Sequence, residues 1–337
     1  MIKRLAVLFI IGIVAAGTAF GQIRMNGYFS MDFLKGQKQS MYAHGSTENI
    51  RAGLIFSGQW TPQFSYALEV QTKEAMRPEI EQAWAGYTTS EAFQLKLGLY
   101  LVPFGKFNAS GRAFQTSLVE PPYSVGEFFP SSWRDLGVLI EGKIGFLQYA
   151  AYMGNGLAEG ENLRAGQQFK DNNSDKGKGV RLGFTASQSL EIGVSYYKGK
   201  YDDTDERNLS LQGLDATWTA TNFNIKAEYS RAVMDNPAPF SRGKAEGFFV
   251  QLWLNLGNLS PVVAYEKSRY EDAFHGPGFA SPLQSGLGML SDHSRWAFGL
   301  VYSPHENFLL KVEYDVNREK NLELQDNIFR AQVAVHF

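Results

Sequence analysis

Regular alternation of apolar and polar residues is the feature that most limits what this chain can fold into. In residues 93–101 the odd-numbered positions are all Phe or Leu, and the even-numbered positions are Gln, Lys, Gly and Tyr. Successive side chains of a β-strand point to opposite faces, so this pattern predicts a strand with one apolar face. After residue 21 no stretch approaches the length of a transmembrane helix.

Segments of this kind recur along the whole chain, and each is about ten residues long, the length that a tilted strand needs to cross a membrane. An even number of such segments is typical of a bacterial outer-membrane barrel. We therefore predict an all-β fold, a sixteen-stranded antiparallel transmembrane β-barrel. Its strands are predicted at 23–33, 48–58, 63–73, 79–89, 92–102, 135–143, 146–154, 179–187, 190–199, 209–220, 222–233, 246–256, 260–270, 294–303, 307–317 and 327–337.

The connections between these segments alternate between short and long. Those after even-numbered strands are tight, for example residues 89–92 and 143–146, whereas extended ones span 103–134, 155–178 and 271–293. A barrel with short periplasmic turns and long extracellular loops produces this order. A soluble β-sandwich would also alternate along its strands, but it has no reason to sort its loops in this way.

The first residues have the pattern of a secretory signal peptide. Lys3 and Arg4 precede an apolar stretch at 5–16, and the small residues Ala19 and Gly21 follow it. The apolar stretch is shorter than the roughly 20 residues of a spanning helix. We predict a signal peptide at 1–21, an outer-membrane barrel at 22–337 and export to the outer membrane of a diderm bacterium.

Aromatic residues and charge support a membrane barrel more than other classes. Phe64, Trp84, Trp296 and Tyr302 fall on the predicted apolar face, and many aromatic residues of this face lie near strand ends, where interfacial girdles are found. The chain has no Cys, and its 32 basic and 34 acidic residues give a net charge of −2. We therefore expect no nucleic-acid partner, no cysteine-based metal site or catalysis, and no cofactor.

One stretch of the sequence resembles a known family of channels. A predicted strand ends in a Pro-Phe pair, a long loop follows, an Arg-Asp-x-Gly group opens the next strand, and the following strand closes on Asn-Gly. This arrangement is similar to the phosphate-selective porin O and porin P family of outer-membrane channels. The residues that carry the resemblance are Pro103, Phe104, Arg134, Asp135, Gly137, Asn155 and Gly156.

The resemblance implies a homotrimeric porin for passive diffusion of small hydrophilic solutes and ions. It also implies that the terminal Phe337 is recognised by the outer-membrane assembly machinery, and that the loop 103–134 folds into the lumen and narrows it. An external, solvated loop is the alternative. The charged side chains implied at the pore constriction are Lys106, Arg112, Glu120 and Arg134, and those on the facing lumen wall are Arg51, Lys96 and Arg181.

Counting charges tests whether such a pore would select phosphate. The predicted polar strand faces carry ten basic and ten acidic residues, and the loop adds three basic and two acidic residues. Opposite charges on neighbouring strands pair and cancel the long-range field, whereas an anion pathway needs rows of Lys and Arg. The balance favours a weakly selective pore over a phosphate-selective or anion-selective one.

Two other functions share the barrel fold. A surface adhesin or anchor barrel would have a plugged lumen, and ion conduction would separate it from a porin. An outer-membrane enzyme would need a nucleophile, a base and an orienting partner. The most suggestive group is Ser291, Asp292, His293 and Ser294, whose composition is also ordinary for a turn, so we expect no enzyme.

Overall fold

The computed structural model describes residues 23–73, 77–126, 128–160, 163–239, 242–272, 292–320 and 324–337, and the predicted signal peptide at 1–21 lies outside them. Sixteen strands make up nearly all of the regular structure. They are β1 Arg24–Gly36, β2 Ser46–Gln59, β3 Phe64–Lys73, β4 Arg77–Ser90, β5 Phe93–Leu101, β6 Arg134–Ile144, β7 Leu147–Gly154, β8 Gly177–Thr185, β9 Leu190–Lys200, β10 Asn208–Thr219, β11 Phe223–Met234, β12 Gly243–Leu254, β13 Leu259–Asp272, β14 His293–His305, β15 Phe308–Glu319 and β16 Ile328–His336.

Each strand pairs with its sequence neighbours, and the sheet closes on itself. β1 pairs antiparallel with β16, with Tyr28 opposite His336. Closure leaves no unpaired sheet edge, which a lipid environment requires. The predicted sixteen-stranded antiparallel barrel is confirmed. No helix within the described ranges is both long and apolar enough to cross a membrane.

The two faces of the barrel wall differ in chemistry. Outward side chains such as Leu97, Phe298 and Trp296 are 45–51% exposed on the isolated chain, as expected for side chains that contact lipid. Charged side chains in the middle of the strands, such as Glu69 and Asp315, point inward and are fully buried. Other parts of the protein therefore cover these inward side chains inside the barrel.

Trp84 lies on the inner face, so the predicted outward position of this residue is wrong. Glu69 pairs with Gln82 and the next residue, Val70, pairs with Ile80, which leaves Glu81 as the extra residue of a β-bulge. One extra residue exchanges the two faces of a strand beyond it. Trp84 consequently packs beside buried aromatic residues in the lumen.

Candidate functional site

The connection between β5 and β6, residues 102–133, forms an inner loop that contacts side chains on the inner face of the barrel. Its first part lies against β9 and β11. The Gly105 amide donates to Ser195 Oγ at 3.0 Å, and the amides of Lys106 and Phe107 donate to Glu228 Oε1 at 2.8 and 2.7 Å. Backbone groups that lose water inside the barrel thus find acceptors on the wall.

The second part of the inner loop reaches the other side of the lumen. Arg112 Nε donates to Glu69 Oε1 on β3 at 2.8 Å, and the ammonium of Lys311 on β15 bonds the Ala113 carbonyl. β3 and β11 are eight strands apart in a ring of sixteen, so these contacts lie on opposite walls. The inner loop therefore crosses the barrel interior.

Two more wall glutamates bind the loop farther along. Glu313 Oε2 accepts the amides of Val119 and Glu120, the latter at 3.3 Å, and Glu266 Oε2 accepts the Tyr123 amide at 2.6 Å. Carboxylates make strong hydrogen bonds to backbone N–H groups, which explains their use here. We call Glu69, Glu228, Glu266 and Glu313 the anchoring glutamates, and all four are at most 4% exposed.

Aromatic packing fills part of the interior on the side of β5 to β12. Phe104 lies 5.2 Å from Phe129 between ring centroids, Phe129 lies 5.5 Å from Trp133, and Trp133 lies 5.0 Å from Tyr197 on β9. All four rings are at most 1% exposed. The inner loop is thus held by a hydrophobic core inside the barrel as well as by hydrogen bonds.

Phe114 of the inner loop packs where the first and last strands meet. Its ring centroid lies 5.6 Å from that of Tyr28 on β1 and 4.7 Å from that of His336 on β16. The same loop side chain therefore contacts both ends of the sheet.

Two of the predicted charges, Lys106 of the loop and Arg181 of the wall, share one carboxylate. The Lys106 ammonium is paired with Glu191 on β9, and Arg181 on β8 reaches the same carboxylate at 3.2 Å. Arg181 also pairs with Asp215 at 2.6 Å. The structure thus brings these two predicted residues together in one row of side chains with alternating charge.

Arg112 and Glu120 each pair with an oppositely charged residue of the barrel wall. Arg112 binds Glu69, which also accepts the hydroxyl of Tyr28 at 3.0 Å. Burial by itself would lower the pKa of Arg112, but the hydrogen bonds and charge of Glu69 raise it above its usual value. Glu120 pairs with Arg330 on β16 at 2.8 Å.

Arg134 is separated from the other residues predicted at the constriction. It opens β6 at the extracellular rim, opposite Leu101, and it is only 5% exposed. Its guanidinium donates to the Ile80 carbonyl at 2.6 Å and pairs with Glu79 at 3.2 Å and Glu81 at 3.4 Å. Arg134 therefore ties the rim of β4 to β6.

The remaining predicted wall residues face the lumen on β2 and β5. Lys96 pairs with Glu141 at 2.6 Å and lies over the Trp84 ring, 4.5 Å from its centroid. Arg51 is half-buried on the inner face of β2, opposite Ser30. A cavity of about 570 Å³ lies against β4 to β8 beneath the start of the inner loop, with Gln94 and Gln148 in its lining.

The residues of the possible catalytic group do not point the same way. His293 is on the inner face, whereas Ser294 pairs with outward Lys267, and Ser291 lies outside the described residues. His293 instead contacts Ser268, whose Oγ lies 3.2 and 3.0 Å from the two ring nitrogens, and the Tyr123 ring, at 4.3 Å between centroids.

The sequence predicts the anchoring glutamates on the polar strand face but does not predict that they bind the loop. Glu228 and Glu313 are expected as lumen charges, although the inner loop covers both. Only the path of the loop shows which carboxylate meets which amide. In the sequence, the one available signal was the alternation of polar and apolar residues, which places these glutamates on the inner face.

Comparison with known proteins gives consistent results. A sequence model of Gram-negative porins matches residues 6–322. An uncharacterized protein of Aquifex aeolicus is 24% identical over 330 residues, covering 84% of this chain and 73% of the other.

Two solved structures share the fold at low sequence identity. The trimer form of OmpT, an outer membrane protein of Vibrio cholerae, has a TM-score of 0.67 at 12% identity and covers 94% of this chain and 100% of its own. The outer membrane channel DcaP of Acinetobacter baumannii has a TM-score of 0.66 at 14% identity, with 95% and 98% covered.

Proposed function

Because this chain belongs to the Gram-negative porin family and is an outer-membrane channel, we propose that it passes small hydrophilic solutes and ions by passive diffusion with little preference for either sign of charge. The proposal involves no covalent step and no cofactor. In it, the inner loop narrows the lumen, and the charges of Lys106, Arg112 and Glu120 act on passing ions.

The observation that supports weak selectivity is the pairing of charges along the lumen. Lys106 and Arg181 share Glu191, Arg112 binds Glu69, and Lys96 binds Glu141. Each pair of opposite charges presents little net field to an ion at a distance. Arg134 is buried at the rim, so we propose no role for it at the constriction.

Phosphate selectivity is the alternative that the resemblance to the porin O and porin P family supports. Anion preference would then come from wall cations such as half-buried Arg51 and exposed Lys143. Phosphate would bind such cations more tightly than chloride does, because it carries more charge and more acceptor oxygens.

A planar bilayer experiment tests the proposal. Folded full-length barrel is inserted under a KCl gradient, and the channel steps and zero-current potential are recorded. We expect steps with a potential close to zero and no block by added phosphate. Strong anion preference with phosphate block would support the phosphate-selective alternative, and intact barrels without steps would support an adhesin or anchor.

We also propose a homotrimer that contacts through the outward faces of β2 to β7. Among the described residues of these strands, the one outward charge is Arg134, which is buried at the rim. The chain has no Cys, so single substitutions give clean crosslinks. Leu97→Cys on β5 should crosslink between subunits, and Leu214→Cys on β10, where the leucine is similarly exposed, should not.

Export and assembly complete the proposal. Removal of residues 1–21 would leave Gln22 as the first residue, which mass spectrometry of the mature protein tests. Phe337 extends β16 and exchanges two backbone hydrogen bonds of 2.9 Å with Gly27 on β1. We expect deletion of Phe337 to slow insertion into the outer membrane in cells, measured by the fraction of folded barrel.

An enzymatic alternative remains testable at the Ser268 and His293 contact. It predicts phospholipid hydrolysis by the purified barrel that is lost in both Ser268→Ala and His293→Ala. Conduction without such hydrolysis would favour the channel.

A further inference from the structure

The cavity beneath the inner loop has the size of a small-molecule site. It has a volume of about 570 Å³ and lies inside the barrel, along β4 to β8. Pro103 of the inner loop forms part of its boundary, and so do Ser90 and Glu91 at the periplasmic turn between β4 and β5. Sites for small molecules commonly have volumes of roughly 300–1,000 Å³. A small solute therefore fits between the inner loop and the periplasmic end of the lumen.

Five neighbouring strands each place one inward residue in a row along the cavity wall. The row consists of Thr88 on β4, Gln94 on β5, Glu141 on β6, Ala150 on β7 and Arg181 on β8. Gln148, also on the inner face of β7, lies two residues nearer to the periplasmic end than Ala150. The wall is therefore mostly polar, and two side-chain amides belong to it.

Both amides have hydrogen-bonding capacity left for a solute. Gln94 Nε2 donates to Thr88 Oγ1 at 3.1 Å, and Gln148 Nε2 donates to Thr185 Oγ1 at 3.4 Å. A side-chain amide has two N–H donors and an oxygen that accepts up to two hydrogen bonds. Among the residues that the structure describes, neither amide oxygen accepts a hydrogen bond. Each glutamine thus offers a donor and an acceptor to the cavity.

The charged side chains around the cavity are balanced. Glu141 pairs with Lys96 at 2.6 Å, and Arg181 pairs with two carboxylates at 2.6 and 3.2 Å. The other two charged residues of the lining, Lys143 and Glu91, are both exposed and have opposite signs. Paired charges present little net field to a solute. The cavity therefore favours solutes that bind through hydrogen bonds over solutes that bind through charge.

The two glutamines are too far apart for one small group to reach both. They are two strands and two residues apart, which corresponds to roughly 12 Å along the wall. Pro103 and Ala150 add apolar surface to the same cavity. A molecule with hydroxyl groups along its length and apolar C–H surface between them matches both features.

We propose that this cavity binds a small neutral sugar, with Gln94 and Gln148 as the residues that bind its hydroxyl groups. A hydroxyl both donates and accepts, so adjacent hydroxyls pair with the N–H and the oxygen of one amide. The proposal rests on the proposed function, because the sugar reaches the cavity through the lumen. A solute that passes must also leave, so we expect a dissociation constant on the order of millimolar.

Saturation-transfer NMR on the folded full-length barrel tests the proposal, with glucose, sucrose and maltose as probes and a detergent that has no sugar headgroup. We expect saturable binding of sugar by the wild type. Gln94→Met/Gln148→Met keeps the length of both side chains and removes their amides. Each lost hydrogen bond weakens binding about threefold to tenfold, so this variant should bind about tenfold or more weakly.

A matched control makes the same substitution outside the cavity. Gln59 and Gln63 are exposed near the turn between β2 and β3, and Gln59→Met/Gln63→Met should bind sugar as the wild type does. Both variants must keep the shifted mobility of a folded barrel on unheated gels. If the Gln94→Met/Gln148→Met protein does not fold, the two single variants replace it, and each should bind about threefold or more weakly.

A second probe and a second assay separate the possible failures. Polyethylene glycol of similar mass has ether oxygens but no hydroxyls along its length, so it should not compete with the sugar. Absence of saturable sugar binding, equal affinities of the wild type and the Gln94→Met/Gln148→Met variant, or equal competition by polyethylene glycol would overturn the proposal. Channel steps in KCl alone report on the proposed function, so sugar binding without steps would contradict that function and not the site.

Discussion

Charged residues are arranged differently on the inner and outer faces of the same strands. On β13, Glu266 points inward and is paired with Arg295, whose Nε lies 2.7 Å from Glu266 Oε1, while the next residue, Lys267, points outward beside other cations. Inside, charges occur in opposite pairs because burial without a partner is costly. Outside, Lys267 and Arg318 at the extracellular end are exposed, so water can compensate their charge. Whether the compensating charge comes from the protein or from its surroundings therefore decides which arrangement of charges a face can have.

Breaking an ion pair on the inner face should cause the largest loss of stability. Arg295 is 3% exposed, and Arg295→Met would leave Glu266 buried without its cation. We expect a loss of about 3–5 kcal/mol in the free energy of unfolding. Urea unfolding in lipid vesicles, followed by tryptophan fluorescence, measures it. Arg295→Met/Glu266→Leu should recover part of the loss, and no recovery would mean that pairing is not the cause.

Placing a cation near the middle of the membrane on the outward face should cause the next largest loss of stability. Leu214 is central in β10 and 54% exposed, on a face outside the proposed subunit contact. Leu214→Arg should cost about 2–4 kcal/mol in the free energy of unfolding, because it puts a charge near the bilayer midplane. Leu214→Met serves as the control of similar size. A cost no larger than that of Leu214→Met would show that depth does not limit where an outward charge can lie.

Unbalancing one lumen pair should change selectivity. Arg112→Gln leaves the negative Glu69 without its cation, and Glu69→Gln leaves the positive Arg112 without its carboxylate. We expect the zero-current potential to shift toward cation preference in the first and toward anion preference in the second. Arg112→Gln/Glu69→Gln should return to the wild-type value. Identical potentials in all four proteins would show that this pair does not face the ion pathway.

Removing one exposed cation from the outward face should have the smallest effect on stability. Arg318 is exposed at the outer end of β15, and charge changes near an interface cost about 0–1 kcal/mol. Arg318→Met should therefore unfold within about 1 kcal/mol of wild type in the assay used for Arg295→Met. A loss as large as that of Arg295→Met would remove the distinction between the two faces.

The sequence was sufficient for the strands but not for the interior. Period-two alternation and loop lengths predict all sixteen strands, because each strand crosses a layer with one apolar and one polar side. The error at Trp84 comes from a bulge at Glu81, which no alternation pattern reports in advance. The resemblance implies Arg134 at the constriction as the last residue of the long loop, whereas it lies at the rim.

The site was predictable as a set of charges and not as a set of pairs. Lys106 and Arg181 are far apart in sequence and meet through Glu191 only because the inner loop returns to β9. The anchoring glutamates depend on the same path. Such contacts are set by tertiary packing, which is not encoded in the spacing of residues along one strand.

The position of Phe114 has a consequence for the order of folding. Its ring packs against Tyr28 and His336, two residues that become neighbours only when the first and last strands have joined. Closing so long a chain segment is entropically slow, and the loop gains this contact only afterwards. The contacts of Phe114 with both Tyr28 and His336 therefore form late in folding, after β1 has paired with β16.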